Sequence, residues 1–238
     1  WFEGPARLMA EDGFDVYCLD RRGSGRNQRE KGLEPGHIRS FEQLFSDLDR
    51  FLSTLGARHK KVFLAGSSWG GKLALGYALA NPNDTRFDGL ILITPGLRSH
   101  IDLSVSKKIG ILTSSALRPE TLFDVPIPTR LFTSNDRNLG LIAKDPLRLH
   151  QVSARFYFES RKLDGFIDKR IKQNRRPIFL ILAGQDRIID NDGVLRVMAP
   201  TNGLLDVLFY QEQTHVVQLD APEQLAEDML TWIRKRSS

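Results

Sequence analysis

The sequence predicts an α/β fold: a mostly parallel sheet flanked by helices and interrupted by a helical insertion. Three observations predict it. Short apolar strands alternate with amphipathic helices up to about Gly96 and again from Pro177 to the end, the pattern of βαβ units. Between them, Leu97 to Arg176 breaks the rhythm with Pro119, Pro126, Pro128 and Pro146 and shows no clean buried strand. One strand–helix junction, Gly66-Ser67-Ser68-Trp69-Gly70, carries the residues of a very tight turn. The expected layout is therefore a core of residues 1–96 and 177–238 with an insertion of residues 97–176 over the sheet's carboxyl edge, where such folds bind ligands.

Each element has a local reason. Residues 1–12 read as an amphipathic helix without a convincing cap. Phe14–Asp20 reads as a strand, followed by the turn Arg21-Arg22-Gly23-Ser24-Gly25. A helix opens at Ser40 with Gln43 three residues on, a capping-box pattern. Its apolar residues Phe41, Leu44, Phe45, Leu48, Phe51, Leu52 and Leu55 follow the 3.6-residue period, and Gly56 ends it. Lys61–Gly66 is a strand, Trp69–Asn81 a helix stopped by Pro82, and Gly89–Thr94 a strand ended by Pro95-Gly96. Inside the insertion, a helix is expected from Pro146 to about Leu163. After it come the strand 177–184, a helix from Val194 to about Ala199, and the strand 204–210. The closing helix, Pro222 to about Arg236, has Leu225, Met229, Trp232 and Ile233 on its inner face.

Composition narrows the classes. The chain has 238 residues, 41% hydrophobic and 26% charged, with a net charge of +5, which is globular rather than disordered. Its 34 Lys and Arg are scattered and mixed with 29 acids, so a nucleic-acid partner is not expected. The run Arg170–Arg176 reads as a solvated face or loop. The positive charge is compatible with transient contact at an anionic membrane surface. The single cysteine, Cys18, permits no intrachain disulfide, which fits a reducing, cytoplasmic setting, and its apolar neighbours predict a buried, inert thiol. No apolar run reaches the roughly 18 residues of a membrane span, and no signal peptide is visible. The chain starts at Trp1 rather than at Met; the expectation is a chain that lacks upstream strands.

The chemistry begins at Gly66–Gly70, which matches G-x-S-x-G with Ser68 at the centre. Ser67 cannot be central, because Ala65 would then stand for the first glycine. A serine on so sharp a turn leaves no room for bulk at the flanking positions, so Gly66 and Gly70 are both expected to be required. The turn sets Ser68 at a helix N-terminus, which favours a developing anion, with the Trp69 main-chain N–H as one oxyanion donor. A serine hydroxyl needs a base. Of His37, His59, His100, His150 and His215, only His215 follows the last strand, on a loop that reaches the same sheet edge. Asp186 follows the preceding strand directly and is the expected acid; Asp190 is the alternative. The predicted triad is Ser68, Asp186 and His215, and this chemistry calls for no metal and no organic cofactor.

Asp20-Arg21-Arg22-Gly23-Ser24-Gly25, Gly66-Ser67-Ser68-Trp69-Gly70-Gly71, Gly184-Gln185-Asp186 and Thr214-His215 resemble the monoacylglycerol lipase and lysophospholipase branch of the α/β-hydrolases. The resemblance runs along essentially the whole chain and is weakest over the insertion, where Asp145-Pro146-Leu147-Arg148 is similar to a segment of related caps. It implies the α/β-hydrolase fold, a cap that forms an apolar acyl pocket, and hydrolysis of a small lipid-like acyl ester. It also implies upstream strands, with a His-Gly loop that supplies the second oxyanion donor; neither stands in this sequence. Two rivals keep the frame and change the function. A proline-type aminopeptidase would need an acid for the substrate amine, with Asp102, Glu120 and Asp124 as candidates. A binding module would keep the pocket without turnover.

Overall fold

A computed structural model of the chain describes residues 1–27, 34–55, 59–201 and 203–237. The first half contains α1 (Glu3–Glu11), α2 (Phe41–Leu55), β1 (Phe63–Ser67), α3 (Trp69–Ala80) and β2 (Gly89–Ile93). The insertion contains α4 (Val105–Leu117), β3 (Leu122–Asp124), α5 (Asp136–Lys144), β4 (Gln151–Ser153) and α6 (Ala154–Arg170). The chain then returns through β5 (Ile178–Ala183), α7 (Asn191–Met198), β6 (Leu205–Tyr210), the single turn α8 (Val217–Asp220) and α9 (Pro222–Ser237).

Four strands form a parallel sheet in the order β1-β2-β5-β6. Successive side chains of a strand point to opposite faces, and the two central strands are buried on both. Leu90, Leu92, Ile178, Leu180 and Leu182 join α2, α3 and α6 in one core. Ile91, Ile93, Phe179, Ile181 and Ala183 join α1 and α9 in the other. The expected inner face of α9 packs there: Leu225, Met229, Trp232 and Ile233 are buried, and Trp232 stacks on Phe179 with centroids 5.5 Å apart.

Five expectations need correction. Phe14–Asp20 forms no strand: it has no ladder partner among the described residues. Cys18 on this segment is exposed rather than buried, with no strand paired beside it among the described residues. The capping box at α2 is half made. Ser40 Oγ accepts from the Gln43 N–H at 3.3 Å, but Gln43 Oε1 is buried without a partner among the described residues. The insertion holds one short antiparallel pair, β3 and β4, neither of them buried throughout, and its main helix starts at Ala154 rather than Pro146. Asp145 Oδ1 accepts the Leu147 N–H and holds that stretch in a turn, and Ser153 Oγ caps α6 through Phe156 N–H at 3.1 Å. Arg176 does not lie on a solvated face. It is buried, stacked 4.0 Å over Phe87, and donates to the carbonyls of Pro82, Asp84 and Phe87. The predicted stop of α2 at Gly56 lies outside the described residues.

Candidate active site

The carboxyl ends of the parallel strands set the positions. Ser68 follows β1, Thr94 follows β2, Asp186 follows β5 by three residues, and His215 sits beyond β6. Ser68 has φ +51°, a conformation that costs a non-glycine residue about 1–3 kcal/mol and persists only where neighbours enforce it. They do so here through its main chain. The Ser68 N–H donates to Ile93 O at 2.9 Å, and Ser68 O accepts from Gly96 N–H at 2.8 Å and Gly71 N–H at 3.0 Å. Its side chain makes no helix-cap bond, so Oγ is left for His215.

The glycines of the turn are not equivalent. A Cβ on Gly66 would stand 2.5 Å from Gly70 O and 2.7 Å from Gly71 N. A Cβ on Gly71 would meet Pro95 Cβ at 2.9 Å and Gly66 O at 3.0 Å. A Cβ on Gly70 would meet nothing within 4 Å. The expectation that Gly70 is sterically required is therefore wrong. What crowds Gly66 is the backbone of Gly70 and Gly71 rather than any side chain.

Ser68 Oγ lies 3.0 Å from His215 Nε2, and His215 Nδ1 lies 2.8 Å from Asp186 Oδ2. The other oxygen, Asp186 Oδ1, accepts from the N–H groups of Ile188 and Ile189 at 2.8 and 2.9 Å. These bonds fix the carboxylate's rotation, and His215 and Asp186 are both buried. In this array His215 carries its proton on Nδ1 toward Asp186 and offers Nε2 to the serine hydroxyl. Asp190 stands elsewhere: it caps α7 through Gly193 N–H at 2.9 Å and faces Arg196. The other histidines are apart as well. His37 bonds Ser153, His59 faces Tyr17 and Asp15, and His100 and His150 are exposed.

Four contacts around this chain of bonds were not legible in the sequence. Thr94 is fully buried with φ +41°, an outlier for a β-branched residue. Its Oγ1 donates to His215 O at 3.0 Å. Phe132 of the insertion sets its ring edge-on to His215, centroids 5.8 Å apart. Asp220 links the insertion to the histidine loop, accepting from Thr133 and Asn138 on one side and Thr214 on the other. Arg21 stacks on Trp69, the residue after Ser68, and on Phe156 of α6. In the sequence Thr94 only closed an expected strand and Arg21 only lay in the Asp20–Gly25 motif, and neither pattern indicated these roles.

The Trp69 main-chain N–H opens α3 and has no protein acceptor among the described residues. The Trp69 indole tilts against Phe156 at 5.0 Å and donates to Ser160 Oγ at 3.0 Å, so the insertion closes over the turn. The acids considered for an amine lie exposed on the insertion. Asp102 is taken by Lys108 at 2.6 Å and Asp124 by Gln151 at 2.9 Å, and Glu120 faces solvent. No group of three or more metal-ligating side chains occurs among the described residues.

A parallel sheet with a serine on a strained strand–helix turn at its carboxyl edge, under a helical insertion, is an α/β-hydrolase. Solved structures share this fold. The monoacylglycerol lipase of Paleococcus ferrophilus superposes with a TM-score of 0.85 at 20% identity, covering 99% of this chain and 89% of that one. A soluble variant of the Saccharomyces cerevisiae monoglyceride lipase, solved with a substrate analogue, superposes at 0.82 and 19%, covering 98% and 82%. The chain belongs to the serine aminopeptidase S33 family of hydrolases, whose model matches residues 1–220. Among curated relatives, a phospholipase of Bacillus subtilis is 25% identical over 190 residues, covering 79% of this chain and 71% of that protein. A monoacylglycerol lipase of Xenopus laevis is 29% identical over 183 residues. That alignment spans 75% of this chain and less than half, 48%, of the relative.

Proposed function

We propose that this chain is a serine hydrolase of carboxylic acyl esters, monoacylglycerol- or lysophospholipid-like, working through an acyl-enzyme. The observation that carries the reading is the continuous hydrogen-bond chain Ser68–His215–Asp186, with steps of 3.0 and 2.8 Å, begun on a strained turn. Ser68 Oγ attacks the ester carbonyl as its proton passes to His215 Nε2. The buried Asp186 carboxylate stabilises the imidazolium and keeps Nδ1 protonated. The Trp69 N–H, at the positive end of α3, donates to the oxyanion. His215 then protonates the leaving alcohol, and in the second half-reaction it activates the water that releases the acid. The lipase and phospholipase relatives support an ester as substrate over an aminoacyl amide. So does the placement of Asp102 and Asp124, whose carboxylates are already partnered.

The insertion supports a transient approach to a lipid surface. On α4, Val105, Ile109, Leu112 and Leu117 are exposed by more than half, beside exposed Lys107 and Arg118. No helix among the described residues is long and apolar enough to cross a membrane. The decisive experiment is labelling by a fluorophosphonate probe, which reports an activated serine. Labelling and ester turnover are expected in the wild-type chain, and both are lost in Ser68→Ala. Equal turnover by Ser68→Ala would overturn the mechanism.

A further inference from the structure

Two arginines adjoin in the turn after Asp20, and the fold treats them differently. Arg22 is a bidentate partner of Asp47, with Nε and Nη2 at 2.8 and 2.7 Å from its oxygens. Arg21 has no carboxylate partner among the described residues. Its one hydrogen bond runs from Nη1 to Arg22 O at 3.4 Å, at the weak limit for such a bond. The guanidinium instead lies 4.7 Å from the Trp69 ring centroid and 4.8 Å from that of Phe156. The two ring centroids are themselves only 5.0 Å apart, so both rings lie on one side of the guanidinium and its other side is left over. A guanidinium has five N–H donors. No Arg21 nitrogen is among the fully buried side-chain atoms without a partner, and the residue is half-buried, so its unpaired N–H groups keep some solvent contact. Desolvation lowers its pKa to about 10, which leaves it charged at neutral pH.

A half-buried cation without a counter-ion is costly, and its planar fork matches phosphate and carboxylate oxygens. Its position is what gives it meaning. Trp69 follows the nucleophile and, in the proposed mechanism, supplies an oxyanion donor; Phe156 belongs to the insertion that closes over it. An anion on Arg21 would lie beside the side chain of the residue that follows the nucleophile. The acyl part of a lipid ester carries no charge, so the anion belongs to the alcohol part.

We infer that Arg21 is a specificity-determining residue that receives an oxyanion group, phosphate or carboxylate, borne by the alcohol part of the ester substrate. The inference rests on the proposed ester hydrolysis and selects, within it, acidic-headgroup esters over neutral monoacylglycerols.

The test uses the whole chain and three esters of one acyl chain, with glycerol, glycerol phosphate and glyceric acid as the alcohols. Wild type is expected to favour the charged pair, and the better of the two identifies the anion. In Arg21→Gln, the ratio of kcat/KM for the charged ester to that for the neutral one falls about 10- to 100-fold, the worth of a charge-assisted hydrogen bond. Arg21→Lys, which keeps the charge but not the fork, recovers part of that ratio. An unchanged ratio in Arg21→Gln makes Arg21 a brace between Trp69 and Phe156 and overturns the inference. Quenching of tryptophan fluorescence by glycerol phosphate and by glycerate separates this from the hydrolase reading. Wild-type binding that is lost in Arg21→Gln, without turnover of any ester, sustains the anion site and sinks the hydrolase. Turnover of the neutral ester with no binding of either anion does the reverse.

Discussion

Replacing Gly66 by alanine should destabilise the protein, and replacing Gly70 should not. A Cβ at Gly66 would stand 2.5 Å from Gly70 O, 2.6 Å from Gly70 C and 2.7 Å from Gly71 N. Each contact is with backbone at the opening of α3, so no flexible side chain can swing away. Relief requires β1 and α3 to separate, and such overpacking costs about 1–3 kcal/mol. For a chain of this size each kcal/mol moves Tm by about 2–4 °C, so Gly66→Ala should melt about 2–12 °C lower. The same shift displaces Ser68 from His215. A misplacement of that order lowers kcat about 100-fold. At Gly70 the added methyl meets nothing within 4 Å and lies inside helical backbone. Alanine there removes unfolded-state freedom and should be neutral or stabilising by up to about 1 kcal/mol. Thermal melts of both variants beside wild type, with ester turnover at one temperature, make the comparison. A Gly70→Ala variant that melts as low as Gly66→Ala would refute the reasoning.

Three further outcomes are expected. Thr94→Val removes the donor to His215 O while keeping the β-branched shape; it should cost about 1–3 kcal/mol and lower kcat, whereas Thr94→Ser keeps both near wild type, as urea unfolding and ester kinetics will show. Lys72 on α3 and Asp164 on α6 form an ion pair of 2.6 Å with both side chains buried. Lys72→Met should therefore lose up to about 3–5 kcal/mol, and adding Asp164→Leu should restore most of it; a double variant no better than the single one would contradict this. At Asp84, hydrogen bonds from the Arg86 guanidinium hold the carboxyl down at about 2. Because the folded value lies below the ordinary one near 3.9, its contribution, about 2 kcal/mol, is present above pH 4 and is lost as pH falls through 2. Urea midpoints at pH 5 and pH 2.5 should converge in Asp84→Asn relative to wild type.

Much of the core and the order of the site was legible in the sequence because it rests on local periodicity. The apolar runs of β2 and β5 announce strands buried on both faces, and α2 and α9 carry their inner residues at helical spacing. Chain order placed Ser68, Asp186 and His215 at one sheet edge, since parallel strands deliver their following loops to the same side. What only the tertiary structure decided depends on neighbours distant in the chain. Strand pattern alone could not make Phe14–Asp20 a strand, because a strand exists only with a ladder partner. The G-x-S-x-G motif could not separate Gly66 from Gly70, because the clash arises from where α3's backbone passes. The composition of Arg21-Arg22 could not show that one arginine has an acid and the other two aromatic rings. Periodicity reports which face of an element is buried; what that face touches is decided by packing across the chain, and so are the strain at Thr94 and the unpaired N–H groups of Arg21.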